Sequence, residues 1–185
     1  MDLDLHLQQY PEDILTRASR VRLLILDIDG VLTDGSLFFD AKGGTLKVFN
    51  VQDGHGIKMA QRGGIEVALV SGRRSDAAFH RARELNINRF YEGVRDKVAI
   101  LEELLAALNL TAQQVAAVGD DLVDLPLFHR VGLGVAVADA VPEAKVAAHW
   151  ITSLPGGRGA VREVCDLILK ARGLWEEILR TWMES

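Results

Sequence analysis

Apolar runs alternate with amphipathic stretches along this chain, and the alternation predicts a three-layer, Rossmann-like α/β fold with a mostly parallel central sheet. Continuous apolar runs suit strands buried on both faces. They cover Val21 to Asp27, Ile65 to Ser71, Arg89 to Glu92, Val115 to Asp120, Gly132 to Val137 and Trp150 to Ile151. Helices are expected over Pro11 to Ser19, Gly54 to Arg62, Ser75 to Leu85, Lys97 to Leu108, Leu122 to Arg130, Val141 to Ala147 and Ala160 to Ala171. Right-handed crossovers then bring the strand ends to one edge, where sheets of this kind bind ligands.

One stretch breaks the rhythm. Ser36 to Asp40 and Leu46 to Val51 form two short apolar strands around Ala41, Lys42, Gly43 and Gly44, which predicts a protruding β-hairpin over residues 36–51. A hairpin carrying Leu37, Phe38, Phe39 and Phe49 is marginal alone and exposes an apolar patch, so it is expected to pack on its own domain or, preferably, on another subunit. Beyond Gly173 the pattern reads as a polar tail with Trp175 and Trp182. There is no repeat and no sign of a second domain, so residues 1–185 read as one domain.

The composition fits that reading: the chain of 185 residues is 49% hydrophobic, enough for one full core. A formal net charge of -5 without a basic block gives no footprint for nucleic acid. No apolar run reaches the roughly 20 residues of a membrane-spanning helix. The single cysteine, Cys165, cannot form an internal disulfide and sits among Val161, Val164 and Ile168 as a packing residue. Together with an acidic N-terminus that lacks a signal-peptide pattern, it points to a reducing cytoplasm. The partner to expect is a small molecule.

The chemistry gathers at the predicted strand ends. Asp27 and Asp29 follow the first apolar run two positions apart. Unscreened, they repel, and a hard cation such as magnesium removes the conflict. Later strands end in Ser71-Gly72-Arg73 and in Gly119-Asp120-Asp121, with Asp124 close behind, and Lys97 opens a helix. Acids, a hydroxyl and an ammonium group on one edge suit phosphoryl transfer: a carboxylate nucleophile, a metal to screen it and donors for phosphate oxygens. Each residue also has a plainer role open to it: a turn acid for Asp27, a turn serine for Ser71, a solvated lysine for Lys97, and helix-capping acids for Asp121 and Asp124. Their joint occurrence in order favours the site.

Asp27-Ile28-Asp29-Gly30-Val31, Ser71, Lys97 and Gly119-Asp120-Asp121 together resemble the four motifs of the haloacid dehalogenase superfamily of phosphohydrolases. The resemblance implies that Asp27 attacks phosphorus to form an aspartyl phosphate, and that Asp29 protonates the leaving oxygen and then activates water. It implies that Ser71 and Lys97 hold the phosphoryl group. Asp27, the main-chain carbonyl of Asp29 and Asp120 would bind magnesium, supported by Asp121 and Asp124. With 43 residues between Asp27 and Ser71 and 25 between Ser71 and Lys97, neither gap holds a large cap domain, so the fold is expected to be capless and the site closed by oligomerisation.

From about Val21 to Ala171, including the hairpin, Asn50 to Gly54 and Gly156 to Glu163, the chain is similar to the capless 3-deoxy-D-manno-octulosonate 8-phosphate phosphatases of lipopolysaccharide precursor synthesis. That similarity implies a homotetramer with hairpins at its centre. It also implies a substrate site at Asn50, Val51, Gln52, Asp53, Gly54, Arg73, Arg81 and Lys97, with Asp29 facing the leaving group. Lys58 stands where some members carry arginine, keeping the charge but losing the bidentate fork. Arg158, in the glycine-rich segment, would approach a neighbouring active site. By chemistry alone Arg73, Arg81 and Arg158 suit a carboxylate or phosphate, whereas Asp34 and Asp53 could each be turn acids and His55 a plain loop residue. The closest rival is the same chemistry on a related nonulosonate 9-phosphate. A receiver-type phosphoacceptor fits less well, because Asp29 supplies an acid/base group that a slow switch does not need, and nothing favours a non-catalytic scaffold.

Overall fold

The computed structural model describes residues 10–184, and the acidic N-terminal stretch through residue 9 lies outside it. Six parallel strands form the central sheet in the order β5-β4-β1-β6-β7-β8. They are β1 (Leu23–Leu26), β4 (Glu66–Val70), β5 (Arg89–Tyr91), β6 (Val115–Gly119), β7 (Leu133–Ala136) and β8 (Trp150–Ile151). β1 lies at the centre with all four side chains buried, so its run of leucine and isoleucine packs on both faces. Successive residues point to opposite sides: Leu24 and Leu26 join the larger core and Leu23 and Ile25 the smaller. Burying each such side chain contributes about 1.5–3 kcal/mol.

The larger core is closed by α1 (Glu12–Ser19), α2 (Val51–Arg62), α3 (Asp76–Glu84), α6 (Pro142–Ala147) and α7 (Ala160–Ala171). The smaller is closed by α4 (Lys97–Leu108) and by Leu127 of α5 (Leu125–Phe128). The three-layer reading holds, and Cys165 is fully buried within the larger core.

Three regions depart most from the sequence reading, and α2 starts at Val51 rather than Gly54. The hairpin strands shrink to β2 (Phe38–Phe39) and β3 (Thr45–Leu46), paired antiparallel. Its second strand stops short of Val51 because Asn50 caps α2, its Oδ1 accepting the N–H groups of Gln52 at 2.7 Å and Asp53 at 3.4 Å. The expected helix over Leu122 to Arg130 splits into a 3₁₀ turn, Leu122–Asp124, and the short α5. The tail is instead helix α8 (Trp175–Met183), which with Leu174 and α2 lines a groove.

Candidate active site

Sheet order decides which strand ends meet. β1 is flanked by β4 and β6, so Asp27, Ser71 and Asp120, each just beyond its strand, share one edge. The ladder continues into the site, with Asp27 N–H donating to the Val118 carbonyl at 3.1 Å. Beyond it the chain turns through Gly30 at a positive φ of 86°, and a Cβ there would collide with the Asp120 carboxylate. Only glycine allows this approach. Thr33 ties the turn together: its hydroxyl donates to the Ile28 carbonyl and accepts the N–H groups of Gly30 and Gly35.

The Asp27 carboxylate is fixed at both oxygens, Oδ1 accepting Ile28 N–H at 2.7 Å and Oδ2 accepting Lys97 Nζ at 2.8 Å. Lys97 stands at the first position of α4, capped by Asp96, and its ammonium group also donates to Asp124 Oδ1 at 2.6 Å. The second oxygen of Asp124 accepts the N–H groups of Asp120 and Asp121. Gly119 makes room for that carboxylate, since a Cβ would lie 2.3 Å from it. Asp124 therefore locks the turn after β6 to the ammonium group that holds Asp27.

Carboxylate oxygens of Asp27, Asp120 and Asp124 lie within 4.8 Å of one another. This crowding shows in their acidities. Burial first, then the neighbouring Asp124 carboxylate, push Asp27 up to about 6 against the pull of Lys97. Burial and the charges of Asp27, Asp124 and Asp121 push Asp120 up to about 7. For Lys97, burial works against the charge, but the two carboxylates more than offset it and the ammonium form is held above its ordinary range. Three hard oxygen donors with a shortage of positive charge fit a small divalent cation.

Asp27, Asp29, Ser71, Arg73, Asp120 and Asp121 line one cleft of about 280 Å³, and Lys97 borders a second of about 230 Å³ that shares Asp27. The groove under α8 lacks convergent acids. Ser71 is buried and accepts Arg73 N–H at 3.2 Å. The Asp121 carboxylate is turned to Leu122 N–H, the capping role that the sequence left open.

The other expected substrate residues do not line these clefts within one chain. Arg81 donates to the Asn50 carbonyl at 3.0 Å and to Glu84 at 2.8 Å, with its guanidinium over the Phe49 ring. Gly54 leaves the space that this side chain fills. Asp53 is buried and accepts N–H groups of Gly159 and Arg162 at the start of α7, and burial raises its pKa. Val51, Gln52 and Lys58 lie along α2. Arg158 pairs with Asp34 of its own chain at 3.3 Å, and Asp34 also accepts Ser36 N–H as a turn acid. The glycine-rich segment seats on its own site loop, Gly157 N–H donating to the Val31 carbonyl at 2.8 Å.

Sequence reasoning missed two groups. Asp139 accepts Gly156 N–H at 2.9 Å and so anchors that segment. Lys47 places its ammonium group on Asp29 Oδ1. Neither lies in a motif, and only the fold brings them in.

Residues 92–161 match the haloacid dehalogenase-like hydrolase family model. The 3-deoxy-D-manno-octulosonate 8-phosphate phosphatase of Yersinia pestis is 49% identical over 87% of this chain and 86% of its own. That of Escherichia coli is 47% identical over 89% and 88%. Among solved structures, the phosphatase of the same name from Moraxella catarrhalis, in complex with a magnesium ion, a phosphate ion and KDO, superposes with a TM-score of 0.91 at 35% identity, covering 94% of this chain and 99% of that one.

Proposed function

The chain belongs to the haloacid dehalogenase-like hydrolases and is kin to their 3-deoxy-D-manno-octulosonate 8-phosphate phosphatases, and from that membership we propose that it hydrolyses this sugar phosphate to the free sugar acid and phosphate. The reaction would serve lipopolysaccharide precursor synthesis in the cytoplasm. The observation that carries the reading is the meeting of the Asp27, Asp120 and Asp124 carboxylates at one point beside Ser71 and Lys97.

Asp27 is the nucleophile. Lys97 and Ile28 N–H orient its carboxylate, so little rotational freedom remains to be lost in the attack. Ser71 and Lys97 donate to the phosphoryl oxygens, and Asp29, two residues on, hands a proton to the leaving sugar oxygen and takes one from water when the aspartyl phosphate is hydrolysed. Asp27, Asp120 and the Asp29 main-chain carbonyl would hold magnesium, supported by Asp124, and the ion supplies the positive charge without which a carboxylate cannot approach a phosphate dianion. Arg73, at the cleft rim, faces the sugar acid. Asn50, Val51, Gln52, Lys58 and Arg81 complete that face when copies assemble as a homotetramer through the exposed hairpins, while the buried Asp53 and Gly54 seat α2 behind them. Arg158, paired to Asp34, steadies the site loop.

The test is phosphate release from 3-deoxy-D-manno-octulosonate 8-phosphate, with and without magnesium, beside a nonulosonate 9-phosphate and 4-nitrophenyl phosphate. Magnesium-dependent preference for the eight-carbon acid is expected, and preference for the nine-carbon acid would overturn the substrate. Asp27→Asn should lower turnover by about 10⁴-fold or more with the fold intact; retained turnover would refute the nucleophile.

A further inference from the structure

Lys47 follows β3 at the base of the hairpin, and its surroundings are unlike its neighbours'. Leu46 and Val48 are 66% and 69% exposed, whereas the Lys47 side chain is 2% exposed. A lysine this short of water needs an anion, and it has one: Nζ pairs with Asp29 Oδ1. The other oxygen of that carboxylate, Oδ2, is buried and accepts no hydrogen bond among the described residues, and Arg73 Nε stands 4.0 Å from it. A buried carboxylate oxygen left without a donor is costly, and such exceptions call for a reason. Asp29 lines the cleft.

We propose that Lys47 is a positioning residue, whose ammonium group pins Oδ1 of Asp29 and thereby reserves Oδ2 for the leaving oxygen of the substrate. This rests on the acid role given to Asp29 above. In the first half-reaction an Asp27 oxygen bonds to phosphorus as the bond from phosphorus to the sugar oxygen breaks. The electron pair of that bond stays on the sugar oxygen, which takes the proton from Asp29 Oδ2. The hairpin thus contributes to chemistry from its base while Phe38 and Phe39 stay exposed.

The experiment compares two esters. An alkyl phosphate, the eight-carbon sugar phosphate, leaves as a basic alkoxide and needs the proton; 4-nitrophenyl phosphate leaves as a weakly basic phenolate and does not. The readout is kcat/KM, which ends at the first irreversible step and excludes hydrolysis of the aspartyl phosphate. Lys47→Met should lower kcat/KM for the sugar phosphate by about 100-fold, the low end of general-acid contributions, and for the aryl ester by less than about 5-fold. Lys47→Arg, which keeps the charge, should recover the sugar phosphate to within about 10-fold of the parent. Circular dichroism and mass in solution should not change; if the methionine variant misfolds, Lys47→Gln takes its place. Equal losses on both esters, or none on either, would overturn the proposal. Asp29→Asn is the reference: if it hits both esters equally, the acid role of Asp29 falls and Lys47 with it, whereas a selective loss there without one at Lys47 overturns the Lys47 inference alone. Should the parent accept the aryl ester but not the sugar phosphate, the substrate assignment fails separately, and glucose 6-phosphate serves as the alkyl ester.

Discussion

The edge beyond β1, β4 and β6 and the hairpin, whose first strand starts eleven residues after Asp27, are built on opposite terms. At the sheet edge the acids have few degrees of freedom left: Asp27 is held at both oxygens, Asp124 at both, and Lys97 bridges them while buried. In the hairpin two-residue strands pair at only two positions, and Phe38 and Phe39 are 55% and 63% exposed. The edge is a charged cluster that the chain completes except for cation charge. The hairpin is an apolar surface left for something else to cover. Its base, at Lys47, joins the edge, so one segment takes part in both kinds of construction.

The contrast can be broken most severely at Lys97. Lys97→Met leaves two buried carboxylates without their ammonium partner, and chemical denaturation should show a loss of about 3–5 kcal/mol; a loss below 1 kcal/mol would mean that the edge is far less tightly built than its hydrogen bonds suggest.

A smaller effect is expected at Asp120, with the sign set by its raised acidity constant. A carboxyl group that holds its proton to about 7 when folded, but to about 3.9 when unfolded, binds more protons in the native state. Stability is therefore unpenalised below about pH 4 and falls as the pH climbs through 7. In chelator, Asp120→Asn should melt near the parent at pH 4 and above it at pH 8, by roughly 2–4 °C for each kcal/mol relieved. A constant difference across that range would count against the crowding. Magnesium should raise the parent's melting temperature most at the alkaline end and do little for the variant.

The smallest effect on folding belongs to the hairpin tip. Phe38→Ser with Phe39→Ser should change the unfolding free energy of dilute protein by no more than about 0.5 kcal/mol, as for other exposed positions, yet lower the mass seen by light scattering. Unchanged mass would show that the exposed rings are not the assembly surface.

The same contrast governs what the sequence made legible. The strands could be read because burial on both faces leaves an unbroken apolar run, as in Leu23 to Leu26, and Gly30 and Gly119 stand beside the acids because nothing larger fits. Asn50 was read as strand because Lys47-Val48-Phe49 alternates like one. The competing signal, an asparagine with Asp53 three positions later, is a helix start and was there to be used. Helix α8 was readable too, since Leu174, Ile178 and Trp182 recur every four residues. Lys47 is different: a lysine between two exposed apolar residues looks solvated, and only the path of the folded hairpin shows that it reaches Asp29. Long-range ion pairs leave no local trace, whereas strand ends do.

The seat of Gly156 and Gly157 carries a consequence for the timing of biosynthesis. A Cβ on Gly156 would fall 1.7 Å from the Gly30 carbonyl oxygen and one on Gly157 2.5 Å from Asp34 N, so the last third of the chain wedges directly against the loop that follows Asp29. Every acid of the cluster has emerged once residue 124 clears the ribosome, yet the loop beside them gains its backing only when some thirty further residues follow it out. A nascent chain paused in between would display its carboxylates without a fixed mouth to the cleft, and competence would arrive with the closing glycines rather than with the residues that do the chemistry.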